Sequence, residues 1–264
     1  MTVNGKKIAE DLKNSLREEV LKLNKKPRLG IVKVGENIIS EKFLKMKIKF
    51  ASDVGISTRT YDFPENISTS ELRKKISRIV HTKEISGIIV QLPLPKHINS
   101  DYILNALPSY KDPDVLSRKS AGILPPVVGA INRIFEDYGV GFMAKNIVIL
   151  GSGKLVGKPA AAWLMNQEAT VCVLNSKSEN IDYYLKNADI IISGVGKPGL
   201  VKSQMVKDGV VAIDCGTSES EGKLIGDFEP EVANKASVFT PVPGGVGPIT
   251  IAMLFSNLIA LQRK

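Results

Sequence analysis

Phe43 and Lys47 stand four residues apart in "SEKFLKMKIKF" (40–50), the spacing that puts two side chains on one face of a helix. A lysine in a concave site can relay a proton or, as an ammonium, stabilise a developing oxyanion. A ring beside it would offer a planar ligand a platform, although a solvated helix lysine explains the same spacing. A second group is "IVILGSGKLVGKP" (147–159), where Gly151, Gly153 and Gly157 follow an apolar run. Glycines there permit a tight turn, close approach of a pyrophosphate, and packing of a helix on a strand. The spacing G-x-G-x-x-x-G is one residue longer than the common fingerprint, and a plain strand-to-helix loop is the alternative. The third group, Asn175, Ser176, Lys177 and Ser178, ends the next apolar run. Dinucleotide enzymes that use NAD commonly place an acid in this region to bind the ribose. Hydroxyl and ammonium groups suit a 2′-phosphate instead, so NADP is preferred, with a solvated loop lysine as the alternative.

Two rounds of strand–helix alternation must position these groups. Helical periodicity over 6–24 leads to a strand at 28–35, a helix through "SEKFLKMKIKFASDVG" closed by Gly55, and a strand "STRTYDF". A helix at 69–82 and the buried strand "ISGIIVQLPLP" complete the first round. Proline-rich 106–129 bridges to a helix at "AINRIFEDYG", and the second round runs through "KNIVILG", "ATVCVLN", "ADIIISGVG", "GVVAIDCG" and "ASVFTPV". The apolar helix "PITIAMLFSNLIALQRK" ends the chain. Such alternation predicts an α/β fold with parallel strands and right-handed crossovers.

The bulk properties narrow the function classes. A chain of 264 residues suits one large domain or two small ones. No apolar run reaches membrane-span length, and the amphipathic start lacks a signal-peptide core, which favours the cytoplasm. The net charge of +9 fits nucleic acid or an anionic metabolite, but the basic residues are scattered and no nucleic-acid signature accompanies them. Cys172 and Cys215 sit in strand-like runs as small reduced residues, and two histidines without clustered ligands predict no metal site.

Three stretches, "GIIVQLPLP" (87–95), "GKLVGKPAA" (153–161) and "TPVPGGVGPITIAML" (240–254), resemble the bifunctional methylenetetrahydrofolate dehydrogenase/cyclohydrolases. The resemblance runs from the first helix to the last, with a shortening near 117–128. It implies an N-terminal α/β catalytic domain over 1–117 and a Rossmann-like NADP domain over 118–247. It also implies a folate cleft between them, a last helix (248–264) packed back on the first domain, and a homodimer. The implied reactions are NADP-dependent oxidation of 5,10-methylene-tetrahydrofolate to the 5,10-methenyl form and its hydrolysis to 10-formyl-tetrahydrofolate, in one-carbon metabolism that serves purine biosynthesis.

By the same resemblance, Lys47 takes the place of the catalytic lysine of a Y-x-x-x-K motif, and Gln91 that of a glutamine bonded near it. Asp114, in "KDPD", would hold the amino edge of the pterin, with a turn role as the alternative. Phe43, Val90, Leu92 and the "PGGVG" residues Pro243, Gly244, Gly245, Val246 and Gly247 would line the folate side. Gly151, Ser152, Gly153, Ser176, Lys177 and Thr217 would contact the cofactor.

The chain departs from the family pattern at defined places. Phe43 replaces a tyrosine, "ENIIS" keeps only Ser40 of D-x-P-A-S, Val115 replaces a glycine, and "LPPVVG" is all that remains of P-C-T-P-x-G. Ser152-Gly153 replaces Arg-Ser, removing a cation that pairs the 2′-phosphate; Lys177 or Lys154 would substitute, and NAD is the alternative cofactor. Lys47, Gln91, Asp114 and "PGGVG" are spared, which points to a working enzyme with altered hydrolysis. The alternatives are a dehydrogenase alone, a non-catalytic folate or nucleotide binder, a basic nucleic-acid-binding protein, and another Rossmann oxidoreductase. The last leaves "VQLPLP" and "PVPGGVGP" without a role.

Overall fold

The computed structural model describes residues 1–117, 122–220 and 223–263. In chain order the elements are α1 (Gly5–Leu21), β1 (Arg28–Val34), α2 (Ile38–Asp53), β2 (Ser57–Phe63), α3 (Thr69–Val80), β3 (Gly87–Val90), α4 (Ser100–Leu104) and α5 (Pro126–Asp137). Then follow β4 (Ile147–Leu150), α6 (Gly157–Asn166), β5 (Val171–Leu174), α7 (Ile181–Asn187), β6 (Ile190–Ser193), β7 (Val211–Asp214), β8 (Ser218–Ser220), β9 (Lys223–Ile225), β10 (Val238–Phe239) and α8 (Val246–Leu261). They form two compact units, one of Ala9–Pro126 with Ile251–Lys264, the other of Met1–Ile8 with Val127–Thr250. The shortening expected near 117–128, and the expected boundary at 117/118, fall in part on 118–121, outside the described residues.

The first unit is built on a parallel sheet ordered β2-β1-β3, with Leu29 level with both Thr58 and Gly87. Successive residues of a strand face opposite sides, and β1 buries both. Leu29 and Ile31 join Leu16, Leu44, Ile89, Leu254 and Leu258 on one face. Val32 and Val34 join Leu72, Ile76, Ile88 and Val90 on the other. The C-terminal helix α8 is apolar nearly all round because it is buried, and Phe255 stacks on Phe50 at 5.2 Å. Ser68 and Glu71 form a capping box that fixes the start of α3.

The second unit holds a five-stranded parallel sheet ordered β10-β7-β6-β4-β5, extended at β10 by the first residues of the chain. There Val3 N–H donates to the Phe239 carbonyl (2.8 Å), and Phe239 N–H donates to that of Met1 (2.9 Å).

Three features depart from the sequence reading. The prolines at 125–126 do not only bridge: Pro126 opens α5, four residues before the expected start, at a position where proline's fixed φ suits a helix. The five-residue α4 is too short to carry a periodic signal. The β8–β9 hairpin, the single antiparallel pair among the described strands, has no apolar alternation to announce it.

Candidate active site

In the first unit the chain places β2 on one side of β1 and then β3 on the other. The switch point therefore lies between the C-terminal ends of β1 and β3, where open parallel sheets bind ligands. Gln91 is the first residue past β3. Its backbone N–H continues the ladder to the Val32 carbonyl (2.9 Å), and its side chain is buried. Nε2 donates to the Leu92 carbonyl (2.9 Å), which turns Oε1 toward α2, where it accepts a hydrogen bond from Lys47 Nζ at 3.2 Å. Phe43 lies one turn before Lys47 and, like it, is half-buried. The start of α2 is capped by its own sequence. Asn37 Oδ1 accepts from Ser40 N–H (2.9 Å), and the buried Ser40 hydroxyl donates to the Asn37 carbonyl (3.0 Å).

The "KDPD" loop brings the third group to Lys47, and its first three residues are tied down differently. Lys111 Nζ donates to the carbonyls of Val80 (2.7 Å) and Thr82 (3.1 Å) at the C-terminal end of α3. Burial pushes the Lys111 ammonium down from its ordinary pKa, with Lys25 adding repulsion. Asp112 is buried and Oδ2 accepts from Ser117 N–H (2.8 Å). The Pro113 carbonyl accepts from Asn257 Nδ2 of α8 (2.9 Å), which also donates to the Leu124 carbonyl (2.8 Å). Asp114 keeps some exposed surface, but its carboxyl is desolvated. Burial raises its pKa, the positive charge of Lys47 opposes the rise, and Asp112 adds to it. The site thus pairs one amine with a neutral amide and a desolvated carboxyl that feels the amine's positive charge.

Val115 follows with φ of 55°, in the left-handed region where a β-branched side chain is strained. The conformation costs about 1–2 kcal/mol, against roughly 0.5–1 kcal/mol of extra chain entropy for a glycine. Val115→Gly should therefore stabilise the first unit by up to about 1 kcal/mol, seen as a melting temperature higher by a few degrees. A lower melting temperature would show that packing of the valine outweighs the strain.

In the second unit the switch point lies between β4 and β6. Gly151 follows β4 with φ of 94°, and its N–H donates to the Leu174 carbonyl (2.8 Å) at the end of β5. A Cβ on Gly157 would strike the Gly151 carbonyl, so the helix start packs directly on the turn. Gly153 has no left-handed φ, and a Cβ there would meet nothing within 4 Å. The protein's own packing does not require glycine at that position.

Past β5 a closed turn forms. Asn175 N–H donates to Ser178 Oγ (3.0 Å), Lys177 N–H to Asn175 Oδ1 (2.9 Å), and Ser178 N–H to the Asn175 carbonyl (2.9 Å). Asn175 and Ser178 are used in holding the turn, and Ser176 and Lys177 are exposed at its tip. Ser152 and, beyond β7, Thr217 are exposed as well.

The "PGGVG" turn belongs to the same unit. Gly244 has φ of 104°, and a Cβ on Gly5, at the start of α1, would strike the Gly245 carbonyl. Pro243 and Gly247 are exposed, whereas the Val246 side chain is buried. Val90 likewise puts its side chain into the sheet core, with Leu92 packed against that core. At Val90 and Val246, only backbone groups are left to meet a ligand. Sequence reasoning missed Lys111, Asp112 and Asn257. The lysine and aspartate flank the recognised Asp114, but Asn257 lies 144 residues from its partner Pro113 and carries no local signal.

Two family models divide the chain between them, although the first and last residues pack in the unit opposite to the model that matches them. The family model described as "Tetrahydrofolate dehydrogenase/cyclohydrolase, catalytic domain" matches residues 3–114, and that described as the "NAD(P)-binding domain" of the same family matches 125–264. The "Bifunctional protein FolD" of Nautilia profundicola is 41% identical over 278 aligned positions, covering 100% of this chain and 98% of that protein. The structure of the bifunctional FolD methylenetetrahydrofolate dehydrogenase/cyclohydrolase from Campylobacter jejuni superposes with a TM-score of 0.96 at 36% identity, covering 100% of this chain and 98% of that one. The FolD of Trypanosoma brucei, complexed with NADP cofactor and inhibitor, gives 0.92 at 31% identity over 100% and 97%.

Proposed function

We infer, from a chain that belongs to the tetrahydrofolate dehydrogenase/cyclohydrolase family, that one protein performs two successive reactions on a folate-bound one-carbon unit. It is an NADP-dependent methylenetetrahydrofolate dehydrogenase, giving 5,10-methenyl-tetrahydrofolate, and a cyclohydrolase that converts this product to 10-formyl-tetrahydrofolate. The fold is a catalytic α/β domain joined to an NAD(P)-binding domain.

The observation that carries the assignment of roles is the Lys47–Gln91 hydrogen bond of 3.2 Å beside Asp114. Hydrolysis of the cationic methenyl bridge removes both protons of the attacking water as the formyl oxygen forms, gives one to the departing nitrogen and releases the other. Lys47 is the group that moves it, and its ammonium form stabilises charge developing on oxygen. Gln91 fixes the amine without adding charge. Asp114 receives the two-donor edge of the pterin, and Phe43 stacks against the folate.

The nucleotide site fits NADP. Gly151 and Gly157 form a backbone cradle that a Cβ would fill, and the open space at Gly153 leaves room for a pyrophosphate. Ser152 supplies a hydroxyl and the turn tip offers Ser176 and Lys177 to a 2′-phosphate, while Thr217 lies in the connection that follows β7, two strands from β4. NADP supplies the hydride acceptor. The protein's residues hold and orient it.

Phe43 lacks the hydroxyl that a tyrosine would place beside Lys47. Phe43→Tyr should raise the rate of methenyl-tetrahydrofolate hydrolysis by roughly 2–10-fold, the value of one net hydrogen bond. An unchanged rate, followed by loss of methenyl absorbance, would show that the hydroxyl is not what this site lacks.

We also propose a homodimer that works in the cytoplasm and feeds purine biosynthesis. The free thiols of Cys172 and Cys215 suit a reducing compartment, and among the described residues no helix is long and apolar enough to cross a membrane.

A further inference from the structure

Behind the nucleotide site lies a buried pair of carboxylates to which the reactions above give no task. Asp227 is fully buried, and four donors converge on it. Ser193 Oγ (2.6 Å), Val195 N–H (2.9 Å) and Gly196 N–H (3.3 Å) donate to Oδ2, and Lys197 N–H (2.8 Å) donates to Oδ1. All four belong to the end of β6 and the turn that follows it. Asp214 lies beside it, accepting from Gly216 N–H (2.8 Å) and Phe228 N–H (3.0 Å), while its own N–H donates to Thr240 Oγ1 (2.6 Å). Two glycines make room for the pair. A Cβ on Gly216 would lie 2.5 Å from Asp227 Cγ, and one on Gly226 would lie 2.8 Å from Asp214 Cγ. Burial, with Asp227 nearby, pushes the Asp214 carboxyl up to about 6.

The turn that Asp227 gathers is the second wall of the β4/β6 switch point. Gly151, on the opposite wall, has room for a Cβ only at 3.3 Å from the Gly194 carbonyl and 3.4 Å from Val195 Cγ2. Gly194 in turn sits where a Cβ would come within 2.5 Å of Val156, just before α6. The two turns therefore share one surface, and a displacement of the 194–197 turn moves the cradle. Val195 is 44% exposed on it, a large apolar side chain beside a site for a planar cofactor.

We propose that Asp227 is a positioning residue for the dehydrogenase reaction, its carboxylate folding the Gly194–Lys197 turn so that Val195 and the glycine cradle form one nucleotide-binding wall. This rests on the NADP reading of the site. It assigns the carboxylate no contact with substrate.

The test measures two reactions of the full chain separately: NADP reduction with methylene-tetrahydrofolate, and hydrolysis of methenyl-tetrahydrofolate with no nucleotide present. Asp227→Asn keeps the shape but turns an amide N–H₂ toward donors. It should raise KM for NADP at least tenfold, with KM for methylene-tetrahydrofolate and the hydrolysis rate within twofold of wild type. Val195→Glu changes an exposed residue, so folding is spared. Its carboxylate would face the nucleotide phosphates, and it should show the same split. An unchanged KM for NADP in Val195→Glu overturns the proposal. So does an Asp227→Asn protein in which both reactions fall in proportion to the folded fraction, with KM for NADP unaltered. Wild-type protein that reduces no NADP would instead contradict the cofactor reading itself.

Discussion

Lys47→Met should lower methenyl-tetrahydrofolate hydrolysis by about 10²–10⁴-fold, the contribution of a positioned proton-transfer group, while NADP reduction continues. The asymmetry follows from the chemistry of the two steps. Oxidation of the methylene carbon leaves a cationic methenyl bridge and releases no proton, so it has no need of a relay. Hydrolysis strips both protons from the added water, one going to the ring nitrogen and one being released, and Lys47 is the amine that Gln91 holds in place at 3.2 Å. Methionine keeps much of the length of the half-buried side chain, so the substitution removes the charge and the donors with little change in packing. Single-turnover analysis should show methenyl-tetrahydrofolate forming and then persisting. Hydrolysis at the wild-type rate in this variant would remove Lys47 from the mechanism.

Gly157→Ala should give the opposite pattern. An added Cβ would collide with the Gly151 carbonyl, a backbone atom that cannot rotate away. Either the start of α6 or the turn must move. A displacement of about 1 Å in a positioning element can cost roughly 10²-fold, and here it falls on the nucleotide. Dehydrogenase kcat/KM should drop by about that factor through KM for NADP, with hydrolysis of added methenyl-tetrahydrofolate preserved. Loss of both reactions together would mean that the glycine serves the stability of the sheet and not the cofactor. Together with Lys47→Met, this separates two activities that depend on residues in two different compact units.

Much of this was legible in the sequence where the signal is local. The strand "STRTYDF", the glycine turn after "IVIL" and the helix over 69–82 are readable from local pattern, whereas the cap of that helix, Ser68, is set by the structure. The role of Lys47 was not legible from its own segment, since i,i+4 spacing fits any amphipathic helix. It emerged from resemblance, and the structure adds the bond to Gln91, 44 residues away. Ties of that kind have no local trace. Asn257 pins the Pro113 carbonyl from the last helix, and Asp227 gathers a turn some 30 residues earlier in the chain. An aspartate in "IGDFEP" or an asparagine in an apolar helix looks the same in sequence whether it caps, solvates or positions. Val115 was readable as a missing glycine, but that the loop keeps the left-handed backbone regardless was not.

The most direct test of the whole account is a single time course. The purified protein is given 5,10-methylene-tetrahydrofolate and NADP, and reduced nucleotide, methenyl-tetrahydrofolate and 10-formyl-tetrahydrofolate are followed together. The account predicts that reduced nucleotide and 10-formyl-tetrahydrofolate rise in step, with no build-up of the methenyl form. Methenyl-tetrahydrofolate that accumulates and decays only at its uncatalysed rate would contradict the second activity, and a trace with no reduced nucleotide would contradict the first.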